Sequence, residues 1–121
     1  MPEHKNQSLR IRLRCAWTGL THALRAERSL RFHVAALGLV LVVLLVLRPG
    51  ALWGALVILA SAAVIAAELF NTALEHLADH LHPEVHPRIR IVKDCAAAAV
   101  LVASLGALGV AAAFLMHLLQ R

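Results

Sequence analysis

The chain has 121 residues, 60% of them hydrophobic, and a mean hydropathy of +0.74. That composition excludes a disordered chain, and its apolar runs, too long for one small core, argue against a soluble globule. The formal charge of +5 would suit a nucleic-acid binder, but the basic residues crowd at Lys5 to Arg31 and at Arg88 to Lys93, beside apolar runs, where the positive-inside rule puts them; a membrane, not a nucleic acid, is the expected partner.

The N-terminal segment 1–29 carries several arginines but no uninterrupted apolar stretch, so no cleavable signal peptide is expected. Within it, Leu9, Leu13, Ala16, Trp17, Leu20 and Leu24 recur at three- and four-residue steps, while Arg10, Arg14, Thr21, Arg25 and Arg28 fall mostly elsewhere on the wheel. This pattern predicts an amphipathic surface helix, lying in the headgroup layer or packed on the protein's own spans.

Segment 30–121 reads as an all-α integral membrane domain with three transmembrane helices, at about 30–47, 51–69 and 95–116. Arg48-Pro49-Gly50 separates the first two and forces an antiparallel hairpin. The third is rich in small residues, and Ala99, Ala103, Ala107 and Ala111 form a candidate packing seam. Lysines and arginines near the span ends put the N-terminus and the stretch from His76 to Lys93 on the cytoplasmic side, with Arg48 and Arg121 opposite. Cys15 and Cys95 then face the cytosol and should be free thiols.

The second apolar run continues in helical register beyond Ala67. At 100° per residue, Glu68, Asn71, Thr72, Glu75 and Asp79 share one face, and Glu68 and Glu75 lie two turns, ~10 Å, apart along the axis. Glu68 follows a charge-free run directly. An ionisable group costs roughly 2.5–3.5 kcal/mol at mid-membrane and less near the interface, so a function is the default expectation for it. A partly desolvated carboxylate can take a proton from a hydroxyl, and a second one nearer water can hold Mg²⁺ shared with nucleotide phosphates. Glu68 suits the first role and Glu75 the second, with Glu27 as a further metal ligand. Lys93 and Asp94, opening the third span, offer a point charge for the β- and γ-phosphates. With no GxxxxGK[ST] and no glycine-rich loop after a strand, a P-loop or protein-kinase fold is excluded.

The run Ala67-Glu68-Leu69-Phe70-Asn71-Thr72-Ala73-Leu74-Glu75, then Asp79, Pro83-Glu84-Val85-His86-Pro87 and Ile91-Val92-Lys93-Asp94-Cys95-Ala96-Ala97-Ala98-Ala99-Val100, resembles the prokaryotic diacylglycerol kinase family, including its undecaprenol kinase branch. Upstream, Ala16-Trp17-Thr18-Gly19-Leu20 and Arg25-Ala26-Glu27-Arg28 match that family's N-terminal helix, so the resemblance covers nearly the whole chain. It implies a homotrimer of three-span subunits in the cytoplasmic (inner) membrane, transferring the γ-phosphate of MgATP to diacylglycerol, giving phosphatidic acid, or to undecaprenol. It implies Glu68 as general base, Glu75 and Glu27 as Mg²⁺ ligands, Asn71 near the reacting hydroxyl, and Lys93, Asp94, His86 and Arg10 around the nucleotide, with Asp79 in support. Three departures bear on the lipid and the nucleotide contacts: His33 stands where diacylglycerol kinases of Gram-negative type carry an acidic residue, Cys15 where many members have an aromatic one, and Arg10 matches only in shifted register.

Two readings of other classes compete. His76 and His80, one turn apart, with His82 and His86 close behind, would make the chain a histidine-rich metal-binding membrane protein, although no cysteine lies nearby and prolines mark a loop. A transport or structural subunit would use membrane carboxylates as a relay, yet here they cluster at one boundary and the middle of every span is empty of them. His22, His33 and His117 read as interface-tolerant side chains.

Overall fold

The computed structural model describes residues 8–121; Lys5 and the rest of segment 1–7 lie outside the described residues. Four helices follow in order: α1 (Leu9–Ala26), α2 (Arg28–Leu47), α3 (Ala51–Leu81) and α4 (Pro87–Leu119). There is no strand among the described residues. The last three helices are long and apolar enough to cross a membrane.

Helix α2, at 20 residues, is about 30 Å long and matches a hydrocarbon core, whereas α3 (31 residues) and α4 (33 residues) reach about 46 and 50 Å. Both therefore overhang at the end where they are linked. The spans expected at 51–69 and 95–116 are the apolar portions of these longer helices, and the link between them is only the five residues from His82 to His86. Helix α4 starts at Pro87, whose missing N–H costs nothing in a first turn, and His86 caps it by accepting the Arg88 N–H at Nδ1, 3.1 Å away. Lys93 and Asp94 thus sit almost two turns inside α4 and do not open it. Similarly, the 29/30 division falls inside the first turn of α2.

Between α2 and α3 the hairpin is made as its residues require. Arg48 ends α2 in the left-handed region at φ 46°, and Gly50 follows at φ 111°, which only glycine adopts freely. At the other end of α2, Glu27 is at once the C-cap of α1 and the N-cap of α2, with extended backbone (φ −110°, ψ 115°). Arg31 fastens this elbow: its Nη1 donates to Leu24 O (2.8 Å) and Arg25 O (2.9 Å), the last free carbonyls of α1.

Packing is concentrated on one seam. On α3 the residues of reduced exposure include Val57, Ser61, Val64, Glu68, Asn71, Glu75 and Ala78, in steps of four and three, flanked by Ala60, Ile65, Ala67, Leu69 and Thr72. On α4 they include Ala96, Val100, Ala103, Ala107, Val110, Phe114 and His117, in the same alternation. That is the 3.5-residue period of paired helices. It corrects the expected seam on α4: Ala103 and Ala107 belong to it, but Ala99 and Ala111 are exposed, because strict four-residue steps drift about 40° around the helix each time. It also makes the polar ladder of α3 a direct continuation of the packing face. The remaining faces stay apolar and open, Leu39, Leu45, Leu52, Leu59, Val102 and Leu108 among them, the inverse of a soluble protein and what lipid or further subunits would cover.

Helix α1 leaves the bundle. Ala23 is buried and Leu20 and Leu24 are half-buried near the elbow, but Leu9, Leu13 and Trp17 are all exposed. Packing on the protein's own spans therefore accounts for the elbow end of α1 only. Cys15 and Cys95 are free and exposed.

Candidate functional site

Glu68 is the buried acid among the described residues, 5% exposed, at the level where α3 passes from its charge-free run into its polar overhang. Two side chains from α2 meet it. Ser29 Oγ donates to Glu68 Oε1 at 2.5 Å, and His33 Nε2 lies 3.3 Å from the same oxygen. Being four residues apart, Ser29 and His33 project from one face of α2, which is why both reach a single atom. Oε2 has no such partner among the described residues and is not wholly enclosed.

Below Glu68 on the same face, Asn71 Oδ1 and Thr72 Oγ1 are buried without a hydrogen-bond partner among the described residues. Such orphans are uncommon, since an unmet buried donor or acceptor costs about 1–3 kcal/mol. A threonine in a helix can bond the carbonyl one turn back, and Thr72 does not. Two polar atoms next to the buried carboxylate are thus left available to something other than this chain's own groups.

The elbow brings Glu27 to this face. Ser29 touches Glu68 on one side of it, and His22 on α1 packs against His76 on α3 on the other, rings tilted at 59° with centroids 5.5 Å apart. Along the chain Glu27 lies between those two contacts, which on α3 flank the stretch containing Glu75. Both carboxylates are half-buried, and neither makes a hydrogen bond or ion pair among the described residues. Carboxylates are the oxygen donors that Mg²⁺ takes, usually one or two from a protein with phosphate and water in its other positions.

At the foot of the ladder Lys93 Nζ is paired with Asp79 Oδ1, which ties the overhangs of α3 and α4 together one turn, about 6 Å, beyond Glu75. The lysine is thereby held at the acidic face. Asp94, its neighbour, is exposed and unpaired among the described residues. His86 is engaged as the cap of α4 and meets His82 edge to face, centroids 5.2 Å apart. Arg10 is not brought to the others: it lies in the first turn of α1, about 24 Å along the helix from Ala26.

The histidines of the competing metal site part company, His76 toward α1 and His82 with His86 in the link. No group of three or more His, Cys, Asp or Glu gathers as a metal cluster among the described residues. Ser29 and His33 are the neighbours of Glu68 that sequence reasoning missed; Thr72 was already on the ladder face. The one available signal was that His33 is the lone polar side chain within an apolar span, four residues from a serine.

Residues 14–115 match the family described as prokaryotic diacylglycerol kinase. A diacylglycerol kinase of Synechocystis sp. is 34% identical over 110 residues, which are 90% of this chain and 63% of that protein. An undecaprenol kinase of Bacillus subtilis is 33% identical over 87 residues, 72% of this chain and 71% of the relative. The chain thus spans a little under two thirds of the first relative and somewhat more of the second.

Proposed function

This chain belongs to the prokaryotic diacylglycerol kinase family, and from that premise we propose that it is a membrane lipid kinase transferring the γ-phosphate of ATP to the hydroxyl of diacylglycerol, yielding phosphatidic acid and ADP. The observation that carries this reading is the buried carboxylate of Glu68, held through one oxygen and open through the other, at the head of an acidic ladder.

In this mechanism Glu68 Oε2 takes the proton of the acceptor hydroxyl as its oxygen bonds to the γ-phosphorus, while the bond from that phosphorus to the β–γ bridging oxygen breaks and ADP leaves. Asn71 and Thr72, with polar atoms unmet inside the protein, orient the hydroxyl beside Oε2. Glu27 and Glu75 would hold the Mg²⁺ that accompanies the nucleotide, and its charge offsets that of the β- and γ-phosphates. Lys93 meets those phosphates as a point charge, exchanging its Asp79 partner for them. Asp94 and His86 flank the nucleotide, and Arg10 approaches it only by way of a neighbouring subunit.

The site opens to the cytosol, since the overhangs of α3 and α4 carry Arg88, Arg90 and Lys93 and α1 carries its arginines on the same side. Helix α1 lies in the headgroup layer of the cytoplasmic membrane in this reading, which the exposure of Leu9, Leu13 and Trp17 supports. The open apolar faces of α2 and α4 are covered by two further copies in a homotrimer.

Undecaprenol is the second reading for the acceptor. His33 favours it, because Arg31-Phe32-His33 is nearer the undecaprenol kinase pattern, and one matched relative bears that name. Purified protein in detergent with MgATP, offered the two lipids side by side, decides: faster phosphorylation of diacylglycerol supports the first reading, faster phosphorylation of undecaprenol the second, and phosphate transfer to neither rejects both.

A further inference from the structure

We infer that His33 is a positioning residue for Glu68: with Ser29 it anchors Oε1, so that Oε2 is presented to the acceptor hydroxyl. The inference rests on the reading of Glu68 as the base. A glutamate side chain has three rotatable bonds, and a carboxylate held by one donor can still swing about that contact. A hydrogen bond from Ser29 and a second contact, His33 Nε2 at 3.3 Å, both from one rigid helix, restrict that freedom and favour one oxygen facing outward.

The surroundings of His33 give it no other employment. Its side chain is 25% exposed, and its ring is set edge-on against Phe32, centroids 5.7 Å apart at 77°. On its other side lies an apolar crevice of about 490 Å³ between α2, α3 and α4, whose lining, Val40, Val57, Val64 and Phe114 included, has no titratable group besides His33 itself. Glu68 is the charged partner that α3 offers it, and α4 offers none in that crevice. A histidine in an otherwise apolar span is costly to keep there, and its polar contact among the described residues is the carboxylate of Glu68. With Nε2 carrying the ring proton, it turns the positive end of that N–H toward Oε1 at 3.3 Å, a longer electrostatic contact beside the Ser29 hydrogen bond.

The test uses three variants of the full chain in detergent, assayed for kcat and for KM toward MgATP and lipid, with thermal unfolding in parallel. His33→Leu keeps the bulk and removes the donor; it should lower kcat roughly ten- to a hundredfold while KM for MgATP changes less than about twofold. His33→Gln supplies an amide N–H at similar reach and should recover kcat to within about threefold of wild type. His33→Asn, polar but shorter, should fall with the leucine variant, and stands in for it if that variant does not fold. Wild-type kcat in His33→Leu or His33→Asn overturns the inference. So does a glutamine variant as slow as the others with a lowered unfolding temperature, which marks a packing role. Glu68→Gln in the same assay separates the two levels: if it retains turnover, the assignment of Glu68 itself fails, whatever His33 does.

Discussion

Ser29 donates a 2.5 Å hydrogen bond to Glu68 across 39 residues of sequence, from the first turn of α2 to the middle of α3. It links the elbow that carries Glu27 to the helix that carries Glu75, so the contact sets both the posture of the buried carboxylate and the approach of the two outer acids. Removing it in Ser29→Ala should lower kcat by roughly tenfold, the scale of one hydrogen bond to a charged group. KM for MgATP should hold. Steady-state kinetics in detergent check this, and an unchanged kcat would show that the bond does not serve catalysis.

Thr72 gives a prediction with two signs. Its hydroxyl is buried and unpaired among the described residues, so Thr72→Val should leave the unfolding temperature unchanged or raise stability by about 1 kcal/mol. If the hydroxyl serves the lipid, kcat/KM for the lipid should fall about tenfold in the same variant. Loss of stability without loss of kcat/KM would assign it a structural part instead.

For Glu75, half-buried and unpaired among the described residues, the metal role predicts that Glu75→Gln loses Mg²⁺-dependent ATP binding. Titration of a fluorescent ATP analogue with and without Mg²⁺ reads this directly. A variant whose Mg²⁺ dependence matches wild type would remove Glu75 from the ligand set.

The hairpin tests the fold apart from the chemistry. Gly50 adopts φ 111°, and a Cβ there would meet nothing within 4 Å, so Gly50→Ala is opposed by backbone strain alone, about 1–3 kcal/mol. Thermal unfolding should register that loss while the KM for MgATP stays put, because the turn lies at the end of α3 remote from Glu68. An unfolding temperature equal to wild type would contradict it.

Much of this architecture is legible in the sequence because bilayer thickness and helical period leave few alternatives. The three apolar runs, the Arg48-Pro49-Gly50 turn and the single face shared by Glu68, Asn71, Thr72 and Glu75 all follow from spacing. What was hidden has physical causes. The start of α4 at Pro87 is obscured because Arg88, Arg90, Lys93 and Asp94 make a charged helical overhang look like a loop. The α4 seam was misread where a four-residue repeat of alanines runs out of step with a 3.5-residue packing period. Ser29 and His33 escaped because their partner is 39 and 35 residues away, and periodicity within one helix says nothing about which face of another it meets. Arg10 matched by resemblance, yet the geometry of α1 carries it away from Glu68 within one subunit.

The central claim is that Glu68 takes the proton from the lipid hydroxyl. Glu68→Gln preserves shape and can still accept from Ser29, but it has no carboxylate to receive a proton. Phosphate transfer from MgATP to lipid should be abolished in this variant while ATP binding persists near wild-type affinity. Turnover at a substantial fraction of the wild-type rate would contradict the account.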